Sequence, residues 1–144
     1  MNGGNLKFIR QKRDIARIVE GNFKMPQYNI CPVAKPRMTR ADKWLKRPAT
    51  AKYWHFVDLC RLNRVELPCF GAHVTFVLPM PKSMSEKRSA EMNGHPHMNR
   101  PDLSNIIKSL EDAVYKEDSV IYDLWATKIW GYEGKIIIEG KAKG

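Results

Sequence analysis

The residues best suited to chemistry in this sequence surround one amphipathic segment. Asp102 stands where a loop enters the segment, and Asp118 follows it closely. Ser104, Lys108 and Glu111 have i, i+4, i+7 spacing, so a helix would carry them on one flank. Carboxylates from separate elements can bind Mg²⁺, which activates water and stabilises a leaving oxygen, while a lysine neutralises phosphate. The pattern is therefore compatible with metal-assisted hydrolysis of a phosphodiester.

The same residues also have ordinary structural explanations. Asp102 after Pro101 could cap the helix through its free N–H groups. Lys108 and Asp112 could form a common i, i+4 ion pair. Glu117 and Asp118 could be turn residues, because scattered acidic residues occur in any soluble domain. Spacing alone leaves both interpretations open.

Composition indicates one basic domain that meets polyanions. The chain has 144 residues, 43% of them hydrophobic, and a net charge of +10. An excess of cations at the surface favours nucleic-acid binding. No apolar run approaches the roughly 20 residues of a membrane span, and the N-terminus has no long apolar signal, so we expect a cytoplasmic protein with no membrane partner. Three cysteines without a Cys-x-x-Cys pair argue against a disulfide framework or a zinc finger.

Periodicity predicts an α+β fold: a short mixed or antiparallel sheet with helices mainly on one face. We expect a basic N-terminal extension over residues 1–22 and one domain over residues 23–144. In chain order, the predicted elements are a helix at Leu6–Glu20, a strand at Gln27–Ala34, a helix at Ala49–Asn63, a strand at Gly71–Leu78, a loop at Met80–Asn99, a helix at Pro101–Lys116, a strand at Ser119–Trp130, a hairpin turn at Gly131–Gly134 and a strand at Lys135–Glu139.

A cluster of cations after the first predicted strand is the strongest candidate for contacts with phosphates. An aromatic residue, Trp44, lies among these cations, a combination that suits packing together with phosphate binding. The members are Lys35, Arg37, Arg40, Lys43, Lys46 and Arg47. No Gly-x-x-x-x-Gly-Lys, Gly-x-Gly-x-x-Gly or Gly-x-Ser-x-Gly motif occurs, so we expect no nucleotide cofactor. The pair His95 and His97 lacks a third ligand in sequence and is a weak zinc candidate.

Three consecutive stretches resemble the RusA family of Holliday junction resolvases. They are Arg-Pro-Asp-Leu-Ser-Asn-Ile-Ile-Lys at 100–108, Leu-Glu-Asp-Ala-Val at 110–114 and Glu-Asp-Ser-Val at 117–120. The family carries an Asp-x-Asp-Asn-x-x-Lys motif at the start of a helix and an acidic pair before a strand. The turn Lys35-Pro-Arg37 also resembles the family's basic turn. The similarity follows the element order from Gln27 to Glu139 and is specific around Pro101–Asp118.

The resemblance implies a homodimeric endonuclease that makes paired nicks in four-way DNA junctions with Mg²⁺, or alternatively Mn²⁺. It implies catalytic roles for Asp102, Asp118, Lys108 and Asp112, and metal binding by Asp102, Asp118 and Ser104. Arg100 and Asn105, within the motif, join the expected DNA contacts. The second motif aspartate is Ser104 here, which brings no negative charge and should weaken metal binding.

We therefore predict a Mg²⁺-dependent, structure-selective DNA endonuclease that acts on branched DNA. One alternative is a junction-binding protein on the same fold that cuts weakly or not at all, which Ser104 favours. Another is a basic RNA-binding domain with an incidental acidic motif. Binding without cleavage in any divalent metal would select the first alternative, and competition between junction DNA and duplex RNA would test the second.

Overall fold

The computed structural model describes residues 26–37, 40 and 48–140. The predicted helix at Leu6–Glu20 and three of the expected phosphate contacts, Lys43, Lys46 and Arg47, lie outside this part of the chain. The described elements are β1 (Gln27–Tyr28), α1 (Pro48–Leu62), β2 (Ala72–Pro79), α2 (Glu86–Met92), α3 (Leu103–Val114), a 3₁₀ turn (Asp118–Val120), β3 (Leu124–Gly131) and β4 (Lys135–Glu139).

The two long helices form where apolar residues recur at helical spacing. In α1 the buried apolar side chains follow this spacing from Tyr53 to Cys60. In α3 the buried positions are Ile106, Ser109, Leu110 and Ala113, and Ile106 and Leu110 are at most 1% exposed. Burying such a side chain contributes about 1.5–3 kcal/mol, so packing holds α3 firmly on the sheet.

The sheet has four strands in the order β1-β4-β2-β3. β2 is parallel to β3 and antiparallel to β4, and β1 is antiparallel to β4. β2 lies inside the sheet with a paired strand on each side, and every β2 residue from Ala72 to Leu78 is buried.

The main core lies between one sheet face and the pair α1 and α3. It combines side chains of both helices with alternate residues of β2 and β4, among them Val74, Phe76, Ile136 and Ile138. A much smaller cluster of Val77, Ile129 and Ile137 lies on the other face. The predicted α+β fold with helices mainly on one face is confirmed.

Two predictions about the sheet are wrong. Gly131–Gly134 is not a hairpin turn, because β2 lies between β3 and β4 and pairs with both. The first strand shrinks from Gln27–Ala34 to two residues. Pro32 has no N–H to donate, and the residues after Tyr28 make no strand ladder.

Two more predicted elements differ from the structure. The predicted strand at Ser119–Trp130 begins only at Leu124, after the 3₁₀ turn. The predicted loop at Met80–Asn99 contains α2, whose Ser85 side chain accepts a hydrogen bond from the backbone N–H of Arg88 at 3.3 Å. No α2 residue is buried, so the sequence has no apolar periodicity there to reveal a helix. None of the helices described between residues 26 and 140 has the length and apolar character needed to cross a membrane.

Candidate active site

Asp102 is the N-cap residue that precedes α3, but its carboxylate does not hydrogen-bond the free N–H groups of the helix. Its backbone is extended (φ −67°, ψ 140°), and its side chain makes no capping hydrogen bond. The capping interpretation therefore does not account for this residue. Asp102 is exposed, and its charge acts on Lys128, whose pKa it raises against a larger lowering by burial.

Lys128 fixes the loop that delivers Asp102 to the helix. Its ammonium donates to the backbone oxygen of Asn99 at 2.5 Å and of Pro101 at 2.7 Å. Lys128 lies in β3, so these bonds tie the start of α3 directly to the sheet. The position of Asp102 thus depends on a strand residue rather than on the loop alone.

Lys108 joins the helix to the acidic residue that follows it. Its ammonium hydrogen-bonds the carboxylate of Asp118 and lies 3.5 Å from Oδ1 of Asp112. The hydrogen bond to Asp118 raises the pKa of Lys108, and the same bond lowers the pKa of Asp118. Both groups are therefore charged at neutral pH. The ordinary i, i+4 pair exists, but Lys108 makes its closer contact across ten residues.

Lys35 is the fourth member of an acidic cluster that also contains Lys108, Asp112 and Asp118. Its ammonium pairs with Oδ2 of Asp112, so Asp112 contacts two lysines. The Lys35 backbone N–H donates to the carbonyl oxygen of Asn105 at 3.3 Å, which attaches the segment after β1 to the first turn of α3. Lys35 was expected only as a phosphate contact, and the structure brings it into the acidic cluster.

Glu111 is a neighbour of the cluster that the predicted catalytic and metal-binding residues do not include. Burial raises the pKa of Glu111 first, and the charges of Asp118 and Asp112 raise it further against the lowering by Lys108. Glu111 thus adds a third carboxylate to Asp112 and Asp118 close to the Lys108 ammonium. The i, i+4, i+7 spacing from Ser104 was the only sequence signal for this placement.

The remaining predicted site residues that lie in the described part of the chain are exposed. Ser104 and Asn105 occupy the first turn of α3, and Ser104 is one helical turn before Lys108. Arg100 precedes the helix. Arg37 is exposed and already has an interaction partner, and Arg40 is exposed. The structure therefore joins Lys108, Asp118, Asp112 and Lys35 by contact, with no direct contact between Asp102 and Asp118 among the described residues.

The donor set is compatible with a sparsely liganded Mg²⁺ rather than with a closed metal cage. Within the described ranges, no group of three or more His, Cys, Asp or Glu side chains is arranged to hold a metal. Mg²⁺ is commonly bound through one or two carboxylates, with water and substrate phosphate as the other ligands. The carboxylates of Asp112 and Asp118 already hold a cation, the Lys108 ammonium. Carboxylate oxygens are ligands that Mg²⁺ accepts, and water and DNA phosphate could supply the remaining coordination positions of the ion.

Comparison with known proteins agrees with the extent of the sheet. The family described as endodeoxyribonuclease RusA matches residues 27–139, which run from the first residue of β1 to the last residue of β4. A curated relative from Bacillus subtilis (strain 168), "Uncharacterized protein YqaN", is 35% identical over 105 residues. That match covers 64% of this chain and 74% of the relative. No solved structure matches this chain.

Proposed function

Because the chain belongs to the RusA family of endodeoxyribonucleases, we propose that it is a Mg²⁺-dependent nuclease that resolves four-way DNA junctions by paired nicks. The observation that carries the proposal is the cluster in which Lys108 bridges Asp118 and Asp112 beside α3. It combines a cation of the kind that binds phosphate with partly exposed carboxylates of the kind that bind Mg²⁺. A DNA substrate implies action inside a cell.

The residues divide the work by charge. Asp102 and Asp118 would hold the metal, with Asp112 in support and Ser104 as a weak fourth participant. When bound, the metal supplies an activated water and stabilises charge on the leaving oxygen. The hydrogen bond from Lys108 lowers the pKa of Asp118, so this carboxylate is charged at neutral pH, the form in which it can act as a metal ligand. A phosphate would compete with Asp118 for the same ammonium, so Lys108 would bind and orient the phosphate, while Asp118 would be one of the residues that hold the metal.

Homodimerisation would supply two such clusters to one junction. Two-fold proteins present the same site twice, which suits paired cuts in a substrate with symmetry of its own. Lys35, Arg37, Arg40, Lys43, Lys46 and Arg47, together with Arg100 and Asn105, would contact the DNA. Their contribution should be electrostatic, so binding should weaken steeply as salt rises.

A second candidate is a protein that binds junctions without cutting them efficiently. Ser104 favours it, because the family motif has a carboxylate at this position and a hydroxyl carries no charge. Tight binding with no nicks in Mg²⁺ or Mn²⁺ would select this candidate.

The test is cleavage of a labelled four-way junction beside a linear duplex of the same sequence. Mg²⁺, Mn²⁺ and chelator conditions are compared for the natural chain and for Asp118→Asn. Asp58→Asn is the matched control, since Asp58 is an exposed carboxylate on α1 outside the cluster. We expect metal-dependent nicks in the junction alone, lost in Asp118→Asn and kept in Asp58→Asn. Equal cleavage of the linear duplex would contradict junction selectivity.

A further inference from the structure

A groove runs between α1 and the C-terminal end of α3, next to the acidic cluster. Its volume is about 630 Å³, within the roughly 300–1,000 Å³ usual for ligand sites. Lys35 and Asp112 line the groove and also belong to the cluster around Lys108. Whatever lies in the groove is therefore continuous with the candidate active site.

An aromatic side chain stands on the α1 wall of this groove. Trp54 is 50% exposed although it is a large apolar residue. Tyr53 is only 4% exposed and lies against Trp54, with ring centroids 5.2 Å apart and planes at 56°. The packed Tyr53 ring thus supports Trp54 on one side. A half-exposed indole supported in this way can stack on an unpaired base.

Cations dominate the charge of the groove. Lys35, Arg61 and Lys116 line it with Asp112 as the single carboxylate. Arg61 and Lys116 are exposed and make no ion pair within the part of the chain that the structure describes. Arg61 is seven residues after Trp54 on α1, about 10 Å along the helix axis. The groove therefore offers a stacking surface and, two turns away, a site for a phosphate.

We infer that this groove binds an unpaired strand of branched DNA, with one base stacked on Trp54 and the backbone on Arg61 and Lys116. The inference rests on the proposed function for its choice of DNA as the polyanion. The groove suits single-stranded rather than duplex DNA, because in a duplex both faces of each base are covered by the neighbouring bases. Stacking on an aromatic ring needs a free base face and tolerates any base.

The first test measures binding of a fluorescein-labelled oligothymidine by anisotropy in chelator, so that no cleavage is required. Trp54→Ala should weaken binding roughly fivefold to 150-fold, the usual effect of removing a base-stacking side chain. Trp54→Phe should retain most of the affinity. Trp125→Ala is the control, because Trp125 is also partly exposed but stacks on His73 in β2, away from the groove. Thermal melting confirms that each variant is folded.

The second test separates the phosphate contact from general charge. Arg61→Gln should reduce the slope of log affinity against log salt by about 0.7, the contribution of one phosphate on a single strand. Arg88→Gln on α2 removes the same charge at an exposed position outside the groove and should leave the slope nearly unchanged. Photo-cross-linking of an oligonucleotide that carries 5-iodouracil should label the peptide with Trp54.

Unchanged binding by Trp54→Ala, or a cross-link that maps outside α1, would overturn the inference. A preference for oligouridine over oligothymidine through the same tryptophan would show that the ligand class is wrong. These readouts are independent of cleavage. If the natural chain makes no nicks but Trp54→Ala loses the strand, the groove stands and the proposed nuclease function fails. If junction cleavage is normal and Trp54→Ala has no effect, the nuclease function stands and the groove inference fails.

Discussion

Replacing Ser104 by aspartate restores the charge that the family motif has at this position. Ser104 is the second residue of α3 and is exposed, so the new side chain meets no packed neighbour. A carboxylate in the first turn of a helix gains about 0.3–1 kcal/mol from the helix dipole. Serine and aspartate have similar helix propensities, so little is lost elsewhere. We expect Ser104→Asp to raise the melting temperature by roughly 1–5 °C without metal.

The same substitution should strengthen the response to Mg²⁺. A ligand that binds only the folded state stabilises it by RT ln(1 + [L]/Kd), so each tenfold gain in affinity adds about 1.4 kcal/mol at saturating Mg²⁺. Scanning fluorimetry with increasing MgCl₂ measures both effects. Ser104→Asn is the control, because it has nearly the same shape as Ser104→Asp and no charge.

Two outcomes would refute this reasoning. A lower melting temperature for Ser104→Asp than for Ser104→Asn would mean that negative charge is unfavourable at the start of α3. Identical Mg²⁺ responses would mean that Ser104 is not beside a metal. A larger Mg²⁺ response together with faster junction nicking would show that the missing carboxylate limits this protein.

Three further substitutions test one contact of the site and two packing contacts of the fold. Lys108→Gln removes the ammonium that lowers the pKa of Asp118, so this carboxyl should titrate at higher pH by ¹³C NMR. In the natural chain, the Lys108–Asp118 pair stabilises the fold at pH values above the ordinary pKa of an aspartate. This contribution is lost as pH falls through the lowered pKa of Asp118. The free energy of unfolding should therefore decrease less with acid in Lys108→Gln than in the natural chain. Leu110→Ala should cost about 2–5 kcal/mol in urea unfolding, because Leu110 is 1% exposed in the main core. Gly134→Ala would place a Cβ 2.7 Å from the Cα of Cys31, which is closer than van der Waals contact allows. The melting temperature of this variant should therefore be clearly lower than that of the natural chain.

Helices α1 and α3 were predictable because each buries an apolar stripe. The helix predicted at Pro101–Lys116 differs from the observed α3 by two residues at each end. The helix predicted at Ala49–Asn63 differs from the observed α1 by one residue at each end. α2 was missed for the converse reason, since a helix that buries no residue has no hydrophobic period.

Strand pairing was not predictable from local patterns. The turn residues between β3 and β4 favoured a hairpin, yet β2 separates the two strands. The central position of β2 is accompanied by burial of this strand on both faces. The residues of the turn between β3 and β4 carry no information about that position. Short turns indicate that neighbouring strands reverse direction, and β3 and β4 do so without pairing.

The sequence pointed to residues that the structure brings into contact, but it did not reveal which of them pair with each other. Lys108 and Asp118 were selected from the motif, and their hydrogen bond is present. Lys35 and Asp112 are 77 residues apart, so no local spacing could pair them. The catalytic roles of Asp102, Asp118, Lys108 and Asp112 remain predictions, as do the metal roles of Asp102, Asp118 and Ser104. The experiments on Ser104, Asp102 and Asp118 address them.

Cleavage of a supercoiled plasmid that extrudes a cruciform tests the central claim most directly. A single nick releases the supercoiling and absorbs the cruciform, which leaves an open circle, whereas paired nicks in one binding event leave a linear molecule. We predict linear product in Mg²⁺ from the natural chain and none from the Asp102→Asn, Asp118→Asn double variant. Open circles alone, or linear product from the double variant, would contradict a dimeric resolvase that uses these two aspartates.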